Sequence, residues 1–385
     1  MKQCKLVLWL MMTLLSSSAS AAWFEASGQA VIQNGNKQLA RQQATQEAIR
    51  QALLFAGASV RSVQKMADGL LQDERFEIRA AGEVNSVELI DEMYQDNIVT
   101  IRVRADIFPN ENMCNSSDYK KSVVSTWFHM ENSHQATVGG IFDLGKPLAE
   151  KIKQEFSVFS RYAYISRIEP YSFAPAPGDL KLQATSLAQK TGAQFVLMGS
   201  IVELSVQQPE TSYLDYVTFW ESRSLIRNFG IKAILIDGST GELLFEKIYR
   251  SQGTWDFDLH QMVDTQSNKL WQSSFGASIK QLIQKLTTDI DETIRCLPSY
   301  GRIVQVANSQ VSASIGSKQG VKKGDELAVF QIREFFSPNG SPLFQYQVHP
   351  STFIVEQVFH NSAILVSQNA MPLGNIQPND FVVRR

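Results

Sequence analysis

The chain has 385 residues, 44% of them hydrophobic, with 36 basic and 38 acidic residues and a formal net charge of −2. That apolar content supports packed cores and excludes a disordered chain. The near balance of charge is uninformative about polyanions, but no Lys/Arg run of the nucleic-acid-binding type appears, so no nucleic acid is expected as a partner.

The first residues read as a secretory signal. Lys2 and Lys5 make a short basic start, Leu6 to Leu15 is almost wholly apolar, and Ala19-Ser20-Ala21 fits an A-x-A cleavage site. The apolar run is shorter than the ~20 residues that span a bilayer, and no later segment reaches ~18, so a soluble exported chain is expected. Processing after Ala21 leaves about 364 residues, which at ~100–200 per domain means two to four domains. Cys4 precedes the apolar run, so no lipid-modified cysteine is expected at the mature N-terminus. The remaining cysteines, Cys114 and Cys296, flank a long α/β-like stretch, and an oxidising compartment favours their pairing as a clasp around it.

A first domain is expected over 22–110. Trp23 to Gln33 reads as a strand, Asn34-Gly35-Asn36 as a turn with Asn36 as N-cap, and Lys37 to Ala56 as a helix carrying Ile49, Ala52, Leu53 and Ala56 on one face. Phe76 to Ala81, Glu83 to Met93 and Ile98 to Phe108 read as strands. In the last, Val99, Ile101, Val103, Ala105 and Ile107 alternate with polar residues, so one face is buried. The pattern predicts one long helix on a small antiparallel sheet. Small polar residues around Met113 and Cys114 then form a linker.

The middle domain is expected over 111–297. A strand over Ser122 to Met130, a helix over Leu144 to Phe159, a strand over Tyr162 to Ile168 and a Pro-rich loop over Pro170 to Gly178 come first. A helix over Leu180 to Thr191 is stopped by Gly192 and followed by an apolar, interior-type strand through Phe195 to Met198. Leu225 to Ile236 and Glu242 to Ser251 form a hairpin about Asp237-Gly-Ser-Thr-Gly241, and Phe275, Ile279, Leu282, Ile283, Leu286 and Ile290 mark a closing amphipathic helix. The third domain, 298–385, has only short apolar runs separated by turn signals, which argues a small all-β barrel or sandwich. The fold class is therefore α+β, multidomain.

Catalytic patterns are absent. His129 and His134 match no metal-ligand spacing, and there is no G-x-S-x-G elbow or phosphate-binding loop. Val138-Gly-Gly-Ile141 reads as a strand-to-helix turn. Asp237-Gly-Ser-Thr-Gly241 lacks the distal Glu of a calcium loop and reads as a hairpin turn. Asp289, Asp291 and Glu292 fall between the apolar positions of the last helix, where solvated charge is ordinary. Gly320-Val-Lys-Lys-Gly-Asp325 punctuates tight turns. Tyr213, Tyr216, Phe219 and Trp220, after a polar loop, are either hairpin packing or an exposed docking face, as are Trp255 and Phe257.

Three segments carry a resemblance: Gly28-Gln-Ala-Val-Ile32 with the Ala-rich helix through Ala44, Ala48 and Ala52; Thr191-Gly-Ala-Gln-Phe-Val-Leu-Met-Gly199; and Gly316-Ser-Lys-Gln-Gly-Val-Lys-Lys-Gly-Asp325. Together with order, length and leader, they resemble the flagellar assembly protein T (FlgT) family of sodium-driven polar flagella. The middle segment is similar to the N-terminal domain of TolB. The resemblance implies a non-enzymatic periplasmic protein near the outer membrane. It would associate into an H ring around the L and P rings and support the T ring of MotX and MotY, and with it the stators. It implies no catalytic residue, cofactor, metal, nucleic acid or small-molecule substrate. A TolB-like envelope adaptor unrelated to flagella, or a periplasmic hydrolase, would share the composition.

Overall fold

The computed structural model describes residues 22–32, 35–55, 63–72, 75–77, 84–95, 97–107, 119–173, 179–207, 225–307, 309–336, 342–368, 373 and 375–384. The chain divides into one unit of Met1–Asn110 with Ile332–Val348 and another of Glu111–Gln331 with His349–Arg385.

In the first unit, β1 (Ala22–Val31) leads into α1 (Lys37–Phe55). Asn36 caps the helix: its Oδ1 accepts from the Leu39 amide at 3.0 Å. The small residues of α1 serve close packing. Ala40, Ala44, Ala48 and Ala52 are buried, and a Cβ placed on Gly28 of β1 would lie 2.1 Å from the Ala44 carbonyl oxygen. A second helix, α2 (Val63–Gln72), follows. It was not anticipated, although Met66, Ala67 and Leu70, all buried, stand at helical spacing. Strands β2 (Arg75–Glu77), β3 (Val84–Gln95) and β4 (Ile98–Ile107) complete an antiparallel sheet in the order β1-β4-β3-β2. The alternation in β4 is realised: Val99, Ile101, Val103 and Ala105 are buried. Asn97 makes the β3–β4 turn in the left-handed region, with φ 68°.

The second unit begins with β5 (Lys121–Trp127) and β6 (His129–Met130). These are followed by α3 (Gly145–Phe159), β7 (Ala163–Ser172), α4 (Leu180–Thr191), β8 (Phe195–Glu203) and β9 (Val206–Gln207). Then come β10 (Leu225–Asp237), β11 (Leu243–Trp255), α5 (Asn268–Gln272) and α6 (Ser274–Ile294). The main sheet runs β11-β10-β8-β5-β7. Strands β5, β7 and β8 are parallel, and β10 and β11 extend the sheet as an antiparallel hairpin. Helices α3 and α6 cover one face through Leu148, Ile152, Phe156, Phe275, Ile279, Ile283 and Ile290, all buried with Phe195, Leu197 and Phe229. At roughly 1.5–3 kcal/mol for each fully buried large side chain, this face is the main stabilising contact of the middle region. Helix α4 covers the other through Ala184, Leu187 and Ala188 against Val124, Val196, Met198 and Ile234. It ends at Gly192 with φ 69°, as expected of a glycine stop.

Strands β12 (Tyr300–Ala307), β13 (Gln310–Ala313), β14 (Glu326–Phe336), β15 (Pro342–Val358), β16 (Ala363–Ser367) and β17 (Phe381–Arg384) follow. Ordered β14-β17-β12-β13-β16-β15, with β15 also pairing β14, they close a six-stranded barrel around Ile303, Val311, Leu327, Phe353, Leu365 and Val382. Closure leaves no free edge, which decides between the barrel and sandwich expectations. Strand β15 is long enough to serve both units: in the first, Gln345, Tyr346 and Gln347 pair in parallel with Trp23, Phe24 and Glu25 of β1, and the Phe24 and Tyr346 rings stack at 5.0 Å.

Candidate interaction surfaces

Two connections leave the same end of the middle sheet. The parallel strands β5 and β8 finish there at Trp127 and Glu203, and β10 starts there with Leu225 opposite Trp255, the last residue of β11. The turns over 131–144 and the loop over 256–267 therefore share one pole, near which β10 begins at Leu225. In α/β layers the carboxyl ends of parallel strands are where sites are usually built.

Arg227 of β10 organises this pole. It is fully buried, with Nη1 donating to the Val138 carbonyl at 2.8 Å and Nη2 to that of Gln135 at 2.9 Å. Its guanidinium lies 4.2 Å from the Trp255 ring centroid and 5.5 Å from that of Phe275. Burial lowers its pKa to about 10, so it stays charged at neutral pH. The charge thus moors an otherwise irregular turn, in which Gly139 and Gly140 have φ 83° and 61° and for which a strand-to-helix turn was expected. The loop over 256–267 is tied on by the Val263 amide donating to the Gly139 carbonyl at 2.7 Å and Thr265 Oγ1 donating to Asp143 at 2.8 Å. On this scaffold Phe142, Leu259 and Met262 are 54%, 42% and 74% exposed.

The sequence-predicted aromatics divide. Tyr213, Tyr216, Phe219 and Trp220 lie outside the described residues, as does Cys114; Cys296 follows α6. Trp255 and Phe257 are core residues, buried and tilted against each other at 4.9 Å. His129 lies on β6 and His134 in the following turn. Among the described residues no three His, Cys, Asp or Glu side chains are grouped to hold a metal ion. No helix there is long and apolar enough to cross a membrane. The acidic run on α6 differs from expectation. Asp291 is buried, accepting from Ser160 Oγ at 2.5 Å and the Arg161 amide at 2.7 Å. Asp289 accepts from Lys247 Nζ at 2.5 Å and Tyr249 Oη at 2.6 Å. They are structural acceptors, and the i,i+2 spacing hides that because their partners come from β11 and the turn after α3.

The opposite pole of the middle sheet is occupied by the barrel. Tyr300 Oη donates to Asp237 at 3.0 Å, Arg302 Nη2 donates to the Gly238 carbonyl at 2.8 Å, and Gln194 Nε2 donates to the Pro298 carbonyl at 2.7 Å. The turn Asp237-Gly-Ser-Thr-Gly241 is thus both a hairpin turn and the plug of this seam. Asp237 Oδ1 also accepts from the Ser239 and Thr240 amides, at 2.7 and 3.0 Å. Nearby, Tyr119 meets Asp325, and Lys318 Nζ lies 4.7 Å over the Tyr164 ring. One buried cation stands apart. Among the described residues Lys121 Nζ has no hydrogen-bond partner, and burial lowers its pKa to about 8 while the charge of Asp291 acts in the other direction.

Sequence reasoning missed Arg227, although a lone arginine at an inward position between Leu225 and Phe229 was a readable sign. It also missed Phe142, Leu259 and Met262, which have no periodic pattern. In the first unit, Leu39 and Tyr94 are exposed, with Lys37 Nζ 5.6 Å from the Tyr94 ring and Arg41 Nε donating to Glu92 at 2.9 Å.

Comparison with known proteins gives three consecutive family matches: flagellar assembly protein T N-terminal domain over 22–109, middle domain over 112–265 and C-terminal domain over 308–384. No curated protein matches the chain. Among solved structures, a hypothetical protein from Chlamydia trachomatis is 13% identical, with a TM-score of 0.34, over 46% of this chain and 98% of that one. The PelC dodecamer from Paraburkholderia phytofirmans is 15% identical, with a TM-score of 0.25, over 46% and 89%. A lipoprotein from Neisseria meningitidis is 13% identical, with a TM-score of 0.21, over 44% and 97%.

Proposed function

Because this chain belongs to the flagellar assembly protein T family, we propose that it is a non-enzymatic scaffold of the basal body. It forms the H ring around the L and P rings and supports assembly of the MotX–MotY T ring, and with it the stators. The observation that carries this reading is the succession of the family's three domains, in order, over 22–109, 112–265 and 308–384. The scaffold works in the periplasm after removal of residues 1–21. Its three functional parts are 22–110, 111–297 with a TolB-N-like layer, and 298–385, and Cys114 pairs with Cys296 to close the middle part.

The physical support is rigidity where a spacer needs it. The plugged turn over 237–241 and the buried pairs at Tyr300 and Arg302 fix the barrel to one pole of the middle sheet, leaving the other pole for contacts. On this reading Phe142, Leu259 and Met262, with the segment bearing Tyr213, Tyr216, Phe219 and Trp220, belong to the partner face. A tagged chain should co-purify with hook–basal bodies, and M262D should reduce that recovery while leaving secretion and folding intact. Recovery of the tagged protein only in the free periplasmic fraction would overturn the reading.

A further inference from the structure

The main sheet of the second unit ends on β11, a thirteen-residue strand with no strand on its outer side among the described residues. Native edges are usually blunted by proline, by short length, by a bulge or by charged side chains. Strand β11 contains no proline, and its ladder with β10 is regular from Leu225↔Trp255 to Leu235↔Phe245; what guards it is charge, Glu246, Lys247 and Arg250, of both signs. Its two faces differ. Tyr249 and Trp255 point to the α6 side and are buried. On the other face Glu246, Ile248, Arg250 and Gln252 are exposed, because α4 covers β5, β8 and β10 but not β11.

We propose that this edge is a self-association surface, and that its occupant is β11 of a second copy of the chain, antiparallel about a two-fold axis at Ile248. The argument is the charge pattern. A two-fold axis perpendicular to the sheet keeps the faces in common, so only same-face residues lie opposite each other. Centred on Glu246, Lys247 or Arg250, the pairing sets each of these charges against itself. Centred on Ile248, it sets Glu246 opposite the second copy's Arg250, twice over by symmetry. It also places Lys247 opposite the copy's Tyr249, and Ile248 against its own equivalent, which covers a side chain that is 46% exposed. Cross-strand opposite-charge and apolar pairs of this kind are favourable, and like charges directly opposite are not. Glu246 and Arg250 are themselves exposed while their in-chain partners, Lys232 and Glu203 (the latter at 3.7 Å from Arg250), are half-buried, so both outer charges can extend into one network across the axis.

An isologous contact closes at two copies, so a ring needs a second, different contact. This inference deepens the self-association part of the proposed function without depending on it: the edge pairing can fail while ring density on basal bodies persists, and the reverse.

The test is oxidation of the purified mature chain carrying I248C. Opposed Cβ atoms at the axis would lie roughly 4.5–5.5 Å apart, a small strand adjustment away from the ~3.5–4.5 Å of a disulfide. I248C should cross-link into dimers about tenfold faster than the control L182C, although Leu182 is the more exposed side chain (73% against 46%), a difference of the size set by a modest pairing free energy. E246R in the I248C background should slow cross-linking to the control rate, and E246R with R250E should restore it. Equal rates for I248C and L182C, or rates unaffected by the charge reversals with the fold intact by circular dichroism, would overturn the proposal.

Discussion

Replacing Lys121 by Met should stabilise the protein at neutral pH, contrary to the usual effect of truncating a buried residue. The Lys121 side chain is fully buried, its Nζ has no hydrogen-bond partner among the described residues, and it lies 5.6 Å from the Tyr162 ring centroid. Desolvation lowers its pKa from 10.5 to about 8. At 1.36 kcal/mol per unit, holding the charge inside at pH 7 costs about 3 kcal/mol relative to the unfolded chain. Methionine keeps the stem volume and removes that penalty. The sign in pH follows directly. Between about pH 8 and 10.5 the unfolded chain binds the proton and the folded one has lost it, so wild-type stability rises with pH through that window. The advantage of K121M should therefore be largest at pH 7 and shrink by about 2 kcal/mol by pH 9.5. Urea titrations at pH 7, 8.5 and 9.5, followed by circular dichroism, measure this. A variant less stable than wild type at pH 7, or an offset that stays constant with pH, would refute the reasoning.

Other substitutions probe the remaining supports. R227M strands the Val138 and Gln135 carbonyls and should lower stability by about 2–4 kcal/mol, with faster amide exchange over 135–141. G28A drives a methyl into the backbone of α1 and should cost about 3 kcal/mol, read as lost exchange protection over 37–55. Y300F removes the donor to Asp237 and should cost about 1 kcal/mol; D237N added to it should cost less than D237N alone, a coupling measurable by a double-mutant cycle. If Cys114 and Cys296 pair as proposed, C114S should lower the unfolding free energy by an amount bounded at about 5 kcal/mol by loop-closure entropy, and reduction should reproduce the loss.

Much of the architecture could be read from residue periodicity. The alternation in β4, the glycine stop after α4 and the apolar stripe of α6 were explicit because each buries one face against one neighbour. The elements that escaped were those set by distant partners. Helix α2 is short, and its apolar residues Met66, Ala67 and Leu70 are matched to a sheet that forms later in the chain. Strand β13 has four residues and exists only because the barrel closes around it. Strand β15 reads as two short runs broken at His349-Pro350, yet it is continuous because different parts pair with different strands. The proposed contact pole was less legible. Exposure of Phe142, Leu259 and Met262 depends on a turn moored by a buried arginine almost ninety residues away, and no local pattern encodes that distance.

The claim that this chain builds part of the flagellar basal body is tested most directly by electron microscopy of hook–basal bodies from cells with and without it. Removing the gene should erase the outermost ring density and abolish or reduce swimming, and restoring the gene should return both. Basal bodies of unaltered outline in cells that swim normally would contradict the account.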